Sequence, residues 1–100
     1  MNKGVPGTVL SKVYVPVKVS FDADGNIIPT EITWENGTHY LIDKVTKVRR
    51  AAAMRSGGQG DQYTIMVGGR ESFLYFERDS NLTGRNLGRW FVARKQSRQV

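Results

Sequence analysis

"IIPTEITWENGTHYLIDKVTKV", residues 27–48, runs in period two on either side of an Asn-Gly pair. Ile28, Thr30, Ile32 and Trp34 fall on one side of an extended chain, the pattern of a half-buried strand. Asn36-Gly37 predicts a tight type I′ hairpin turn, because both residues tolerate the positive φ angles which that turn requires. The return strand opens with Tyr40 and Ile42 directed inward, then changes phase to Val45 and Val48. A spacing of three inside a period-two strand predicts a bulge near Asp43-Lys44, the device that bends strands in small closed sheets.

The flanking sequence continues the pattern. "VYVPVKVSF" puts Val13, Val15, Val17, Val19 and Phe21 on one side, while Pro16, which has no backbone donor, marks an edge or a bulge. "DADGN" supplies the next turn through Asp24-Gly25 or Gly25-Asn26. "DQYTIMV", "GGR" and "ESFLYFE" read as a second hairpin. Tyr63, Ile65 and Val67 share one face of its first strand; Phe73 and Tyr75 oppose Leu74 and Phe76 on its second. "RDSNLTGRNLG" reads as a loop, "RWFVARK" as the closing strand and "QSRQV" as a frayed tail. The expected fold is therefore all-β: a small antiparallel barrel or rolled sheet of five or six strands, Src-homology-3-like. A short helical turn near residues 51–55 is its one helical element, since "RRAAAMR" is alanine-rich.

With 100 residues the chain is expected to be a single domain, 1–100, with an ordered core over about 9–95 and frayed termini. It contains no cysteine, which excludes disulfides and thiolate metal sites, and one histidine, His39, which excludes a histidine cluster. No run reaches the ~20 apolar residues of a membrane helix. "MNKGVPGTVLSKVYV" is interrupted by Gly4, Pro6, Gly7 and Lys12 and makes a poor signal peptide, so the expectation is a cytoplasmic protein with no membrane partner.

Charge is distributed unevenly. Residues 1–48 hold five lysines and five acids; residues 49–100 hold nine arginines and one lysine against Asp61, Glu71, Glu77 and Asp79, and so carry the whole +6. Arginine is the planar, permanently charged donor suited to phosphate and carboxylate groups. "RRAAAMRSGGQG", residues 49–60, is not a nucleotide-binding loop: Asp61 follows Gly60 where such a loop carries lysine and a hydroxyl. It reads as an inter-strand connection that could still close Arg49, Arg50 and Arg55 over a phosphate backbone. Enzyme chemistry has no foothold, with neither a sequence-local acid/base pair nor a nucleophile elbow, and no cofactor is implied.

Three stretches taken together, "PTEITWENGTHYLIDKV", "GDQYTIMVGGRESFLYFE" and "RWFVARK", resemble a family of small proteins of unknown function common in Gram-positive bacteria. The resemblance covers roughly residues 13–94 and rests on Trp34, Tyr40, Asp43, Arg49, Arg50, Tyr63, Trp90 and Phe91. It implies no catalytic residues. Similar proteins are sometimes encoded near error-prone DNA polymerases, an association that favours a role with nucleic acid.

The leading expectation is a non-catalytic nucleic-acid-binding module, with single-stranded nucleic acid as partner. Arg49, Arg50, Arg55, Arg70, Arg85 and Arg89 would meet phosphates, and Trp90 or Phe91, whichever is exposed, would stack on bases. The alternative is a protein-interaction adaptor that grips an acidic partner or pairs through a barrel edge strand. A monomer or a homodimer fits either.

Overall fold

The computed structural model describes residues 8–51, 60–78 and 87–97, with side-chain surroundings for 11–50, 60–78 and 87–94. The described chain is all-β, in eight strands: β1 (Thr8–Tyr14), β2 (Val17–Phe21), β3 (Ile27–Thr33), β4 (His39–Leu41), β5 (Lys44–Ala51), β6 (Gly60–Val67), β7 (Arg70–Arg78) and β8 (Gly88–Ser97). They form two antiparallel sheets, one of five strands in the order β1-β8-β7-β6-β5 and one of three in the order β2-β3-β4.

Two corners join the sheets and turn six runs of sequence into eight strands. At the first, the Val15 amide donates to the Trp90 carbonyl of the large sheet, while the next carbonyl, that of Pro16, accepts from Thr33 of the small one. Pro16 thus sits where the chain changes sheets and no ladder donor is called for. At the second, the Ile42 amide donates to Thr30 and the Asp43 amide to Met66. The anticipated bulge at 43–44 is this change of sheet, and the register shift itself lies between Val45 and Lys47. The architecture is a rolled sheet with the core between its two layers.

Other local expectations need correcting. The Asn36-Gly37 hairpin is not type I′, because Asn36 keeps a negative φ and only Gly37, at 87°, is left-handed. Instead the Gly37 amide donates to the Trp34 carbonyl and the Trp34 amide to Thr38, a type I turn closed by a left-handed residue. The type I′ turn is Gly68-Gly69, with φ of 57° and 80°, between the paired residues Val67 and Arg70. A register shift in the β2–β3 ladder between Lys18 and Val19 breaks the even phase of the third strand. Ile32 and Pro29 are therefore buried while Ile28 is exposed. Tyr40 is more exposed than its inward position suggested. Ala51 ends β5 as strand, and the remainder of the proposed helical turn, 52–55, lies outside the described residues.

The core is built from the inner faces of both sheets: Val15, Ile32, Tyr63, Ile65, Leu74, Phe76 and Trp90. Trp90 packs against Phe76, with ring centroids 4.8 Å apart, and against Tyr63 at 5.1 Å. The Tyr63 hydroxyl reaches the Ile27 carbonyl at 3.3 Å, which satisfies a polar group that burial would otherwise penalise. Gly88 lets β8 close on β7. Its φ is 155°, and a Cβ there would overlap the Glu77 carbonyl and lie 2.8 Å from the ring of Phe76.

Candidate nucleic-acid interface

The small sheet covers only one face of the large one. The register of the ladders puts five side chains in a single row across the opposite, outer face: Arg49, Gln62, Tyr75, Phe91 and Tyr14, on β5, β6, β7, β8 and β1. Each touches the next. The Arg49 Nε donates to Gln62 Oε1 at 3.0 Å, and Gln62 Nε2 donates to the Tyr75 hydroxyl at 3.0 Å. Tyr75 stacks on Phe91 with centroids 5.0 Å apart and planes inclined by 10°. Phe91 meets Tyr14 edge-on at 5.7 Å.

Cations lie over the aromatic end of this row. The Lys12 ammonium is 4.9 Å from the Phe91 ring and the Arg89 guanidinium 4.0 Å from the Tyr14 ring, both within cation–π range. Glu77, beside Arg89 in the next pair, anchors them. It accepts from Lys12 Nζ at 2.8 Å and from the Tyr14 hydroxyl at 2.7 Å, and lies 3.7 Å from Arg89. The bond from the Lys12 ammonium, followed by that from the Tyr14 hydroxyl, holds the Glu77 carboxyl below its ordinary range. Tyr14 is pushed up, first by its bond to Glu77 and then by burial and the nearby negative charge. Lys44 and Lys47 share the face on β5, and Glu71 is its second described carboxylate. Lys12, Lys44, Lys47, Arg49 and Arg89 thus outnumber Glu71 and Glu77, leaving the face positive.

The residues singled out in the sequence are divided. Arg49 ends the row on β5, and Arg89 stands on the same face beside its other end. Arg50 pairs with Asp61 and belongs to the inner side by register. Arg70 stands at the far end of the sheet, beside the Gly68-Gly69 turn. Arg55 and Arg85 lie outside the described residues. Trp90 and Phe91 face opposite ways, as strand alternation requires, yet neither offers a stacking surface. Trp90, 9% exposed, is core; Phe91, 3% exposed, points outward but is enclosed by Tyr14, Tyr75 and Lys12. On this face of the large sheet the accessible rings are Tyr14, 40% exposed, and Phe73, 44% exposed. Lys12, Tyr14, Gln62 and Tyr75 escaped the sequence reading. The signal was there: Lys12 and Tyr14 occupy the phase opposite Val13 and Val15.

Among the described residues no helix is long and apolar enough to cross a membrane, and no group of three His, Asp or Glu could hold a metal ion. No family model, curated protein or solved structure matches the chain.

Proposed function

We propose that the protein is a non-catalytic module that binds single-stranded nucleic acid on the outer face of its large sheet. One observation carries the reading: an uncovered sheet face on which the exposed ring of Tyr14 lies under the Arg89 guanidinium with Lys12 beside it, while Lys47 and Arg49 line the same face at the opposite, β5 edge. Single strands are held by that combination, in which bases stack on rings while cations follow the backbone. Bases also stack on guanidinium planes, so Arg89, 68% exposed on its side chain, extends the Tyr14 platform outward. Phe73, on β7 two strands from Tyr14, offers a second platform. Lys47 and Arg49 then meet phosphates. Glu77 does not repel the strand, because Lys12 and Arg89 already neutralise it.

The test is fluorescence anisotropy with a labelled oligo-dT and a duplex of the same length, each at low and near-physiological salt. The proposal expects the single strand to bind more tightly and to weaken as salt rises. Absence of binding at low salt would overturn it.

A further inference from the structure

The β7–β8 ladder is shorter than either of its strands. Its register runs only from Tyr75↔Phe91 to Arg78↔Gly88, whereas β7 begins at Arg70 and β8 continues to Ser97. Beyond Tyr75 and Phe91 the two strands part. An apolar cavity of about 170 Å³ opens there, lined among others by Ile32, Trp34, Ile65, Val67, Ser72 and Val92. Arg94 of β8 lies against one of the lining residues, with its guanidinium 5.4 Å from the Trp34 ring and ion-paired to Glu35.

The direction of the backbone groups along these free edges follows from one hydrogen bond. The Trp90 carbonyl accepts from Val15, so Trp90 directs its main chain toward β1. Antiparallel strands alternate, which turns Phe91 and then Ala93 toward β7, and Tyr75, Phe73 and Glu71 toward β8. The gap-facing amides and carbonyls of Glu71, Phe73 and Ala93 have no backbone partner among the described residues. The β5 edge of the sheet is treated differently. β5 is guarded by Lys44, Lys47, Arg49, Arg50 and a register shift, the features that discourage strand addition. Ser72, Phe73, Leu74, Val92 and Ala93 carry no charge.

From this we infer that the β7–β8 gap is a docking site for an extended peptide, which adds to the free edge of β7 at Glu71–Phe73 and buries one apolar side chain in the cavity. A polypeptide is the occupant because evenly spaced amides and carbonyls along a strand edge are matched by another backbone in extended form. A cavity of this size with aliphatic and aromatic walls accommodates a group up to about the size of benzene, so leucine, isoleucine or phenylalanine is the residue selected. The site meets the proposed nucleic-acid face at Phe73, whose ring also lines the cavity, but uses none of Tyr14, Lys47, Arg49 and Arg89, so the two can fail separately.

The experiment uses acetylated hexapeptides with threonine at alternating positions and alanine, leucine or phenylalanine at a central one. They are titrated against the full chain, with hydrogen exchange followed residue by residue. The leucine and phenylalanine peptides should bind about tenfold or more tightly than the alanine peptide and protect the Glu71 and Phe73 amides. N-methylating alternate peptide amides should abolish binding, a control that leaves the protein unaltered. Ser72→Phe, which fills the mouth of the cavity, should weaken the peptide by at least about tenfold and leave oligo-dT binding unchanged. Equal affinity for the alanine peptide, or no protection at Glu71 and Phe73, would each overturn the proposal.

Discussion

Tyr75 and Phe91 stack nearly parallel, 5.0 Å apart, on the face of the large sheet that the small sheet leaves uncovered. The pair is roofed by Tyr14 on one side and tied through Gln62 to Arg49 on the other. Outward direction and burial therefore coincide at Phe91. It makes this face a second, thin hydrophobic layer with cations on its surface.

Phe91→Ala should accordingly behave as a core substitution. Removing a buried ring of this size costs about 3–5 kcal/mol, and here it also frees Tyr14 and Tyr75 from their packing. Urea unfolding followed by Trp fluorescence measures the loss. A cost below about 1 kcal/mol would mean that the outer face contributes nothing to stability.

Gly88 is predicted to tolerate no side chain. Alanine there would meet the Glu77 carbonyl and the Phe76 ring, and neither backbone nor core ring can move aside cheaply. Gly88→Ala should lower stability by about 2 kcal/mol or more, with the strain between β7 and β8 visible as faster amide exchange at Tyr75 and Phe91.

Acid should loosen the outer face. The Glu77 carboxyl titrates below 4.5 in the fold because Lys12 and Tyr14 bond to its charged form. The unfolded chain then binds more protons than the folded one, and the stabilisation present above that value is lost as pH falls through the folded pKa. Asp22, held low first by the Asn26 side chain, loses its contribution at lower pH, as pH falls below 3.8. Glu77→Gln should flatten the fall in melting temperature as pH drops below 4.5 without removing it entirely.

At the alkaline end the sign reverses. Tyr14 is raised above 10.0 by its bond to Glu77, so its contribution is complete below 10.0 and disappears as pH rises through the raised value. Ultraviolet titration of phenolate should show one tyrosine moving to lower pH in Glu77→Gln and missing in Tyr14→Phe. An unchanged titration in Glu77→Gln would contradict the bond.

Much of this fold can be read directly from alternation. Tyr63, Ile65 and Val67 point inward, and Leu74 and Phe76 oppose Phe73 and Tyr75, because period two leaves a regular strand no other choice. The corners are less legible. Val15-Pro16 and Ile42-Asp43 look like positions within strands, and only the hydrogen bonds that go to two different sheets reveal the turn. The turn at Asn36-Gly37 was identifiable as a turn but not by type, since asparagine is equally at home with a negative φ. At the candidate site, adjacency alone predicts that Arg49 and Arg50 diverge. Nothing local predicts that Phe91 is covered, because its cover arrives from the first strand. The Lys12–Glu77 bond that fastens this cover spans 65 residues of sequence.

The most direct test of the proposed interface compares oligo-dT affinity across a salt series for the native chain and for a variant combining Lys47→Ala, Arg49→Ala and Arg89→Ala. All three side chains are exposed, so folding should survive. Each phosphate contact on a single strand contributes about 0.7 to the slope of log K against log salt, so losing the contacts of Lys47 and Arg49 should take about 1.4 from that slope. It should also bind more weakly at every salt concentration. An unchanged slope and affinity in the folded variant would contradict the assignment of the outer face to nucleic acid.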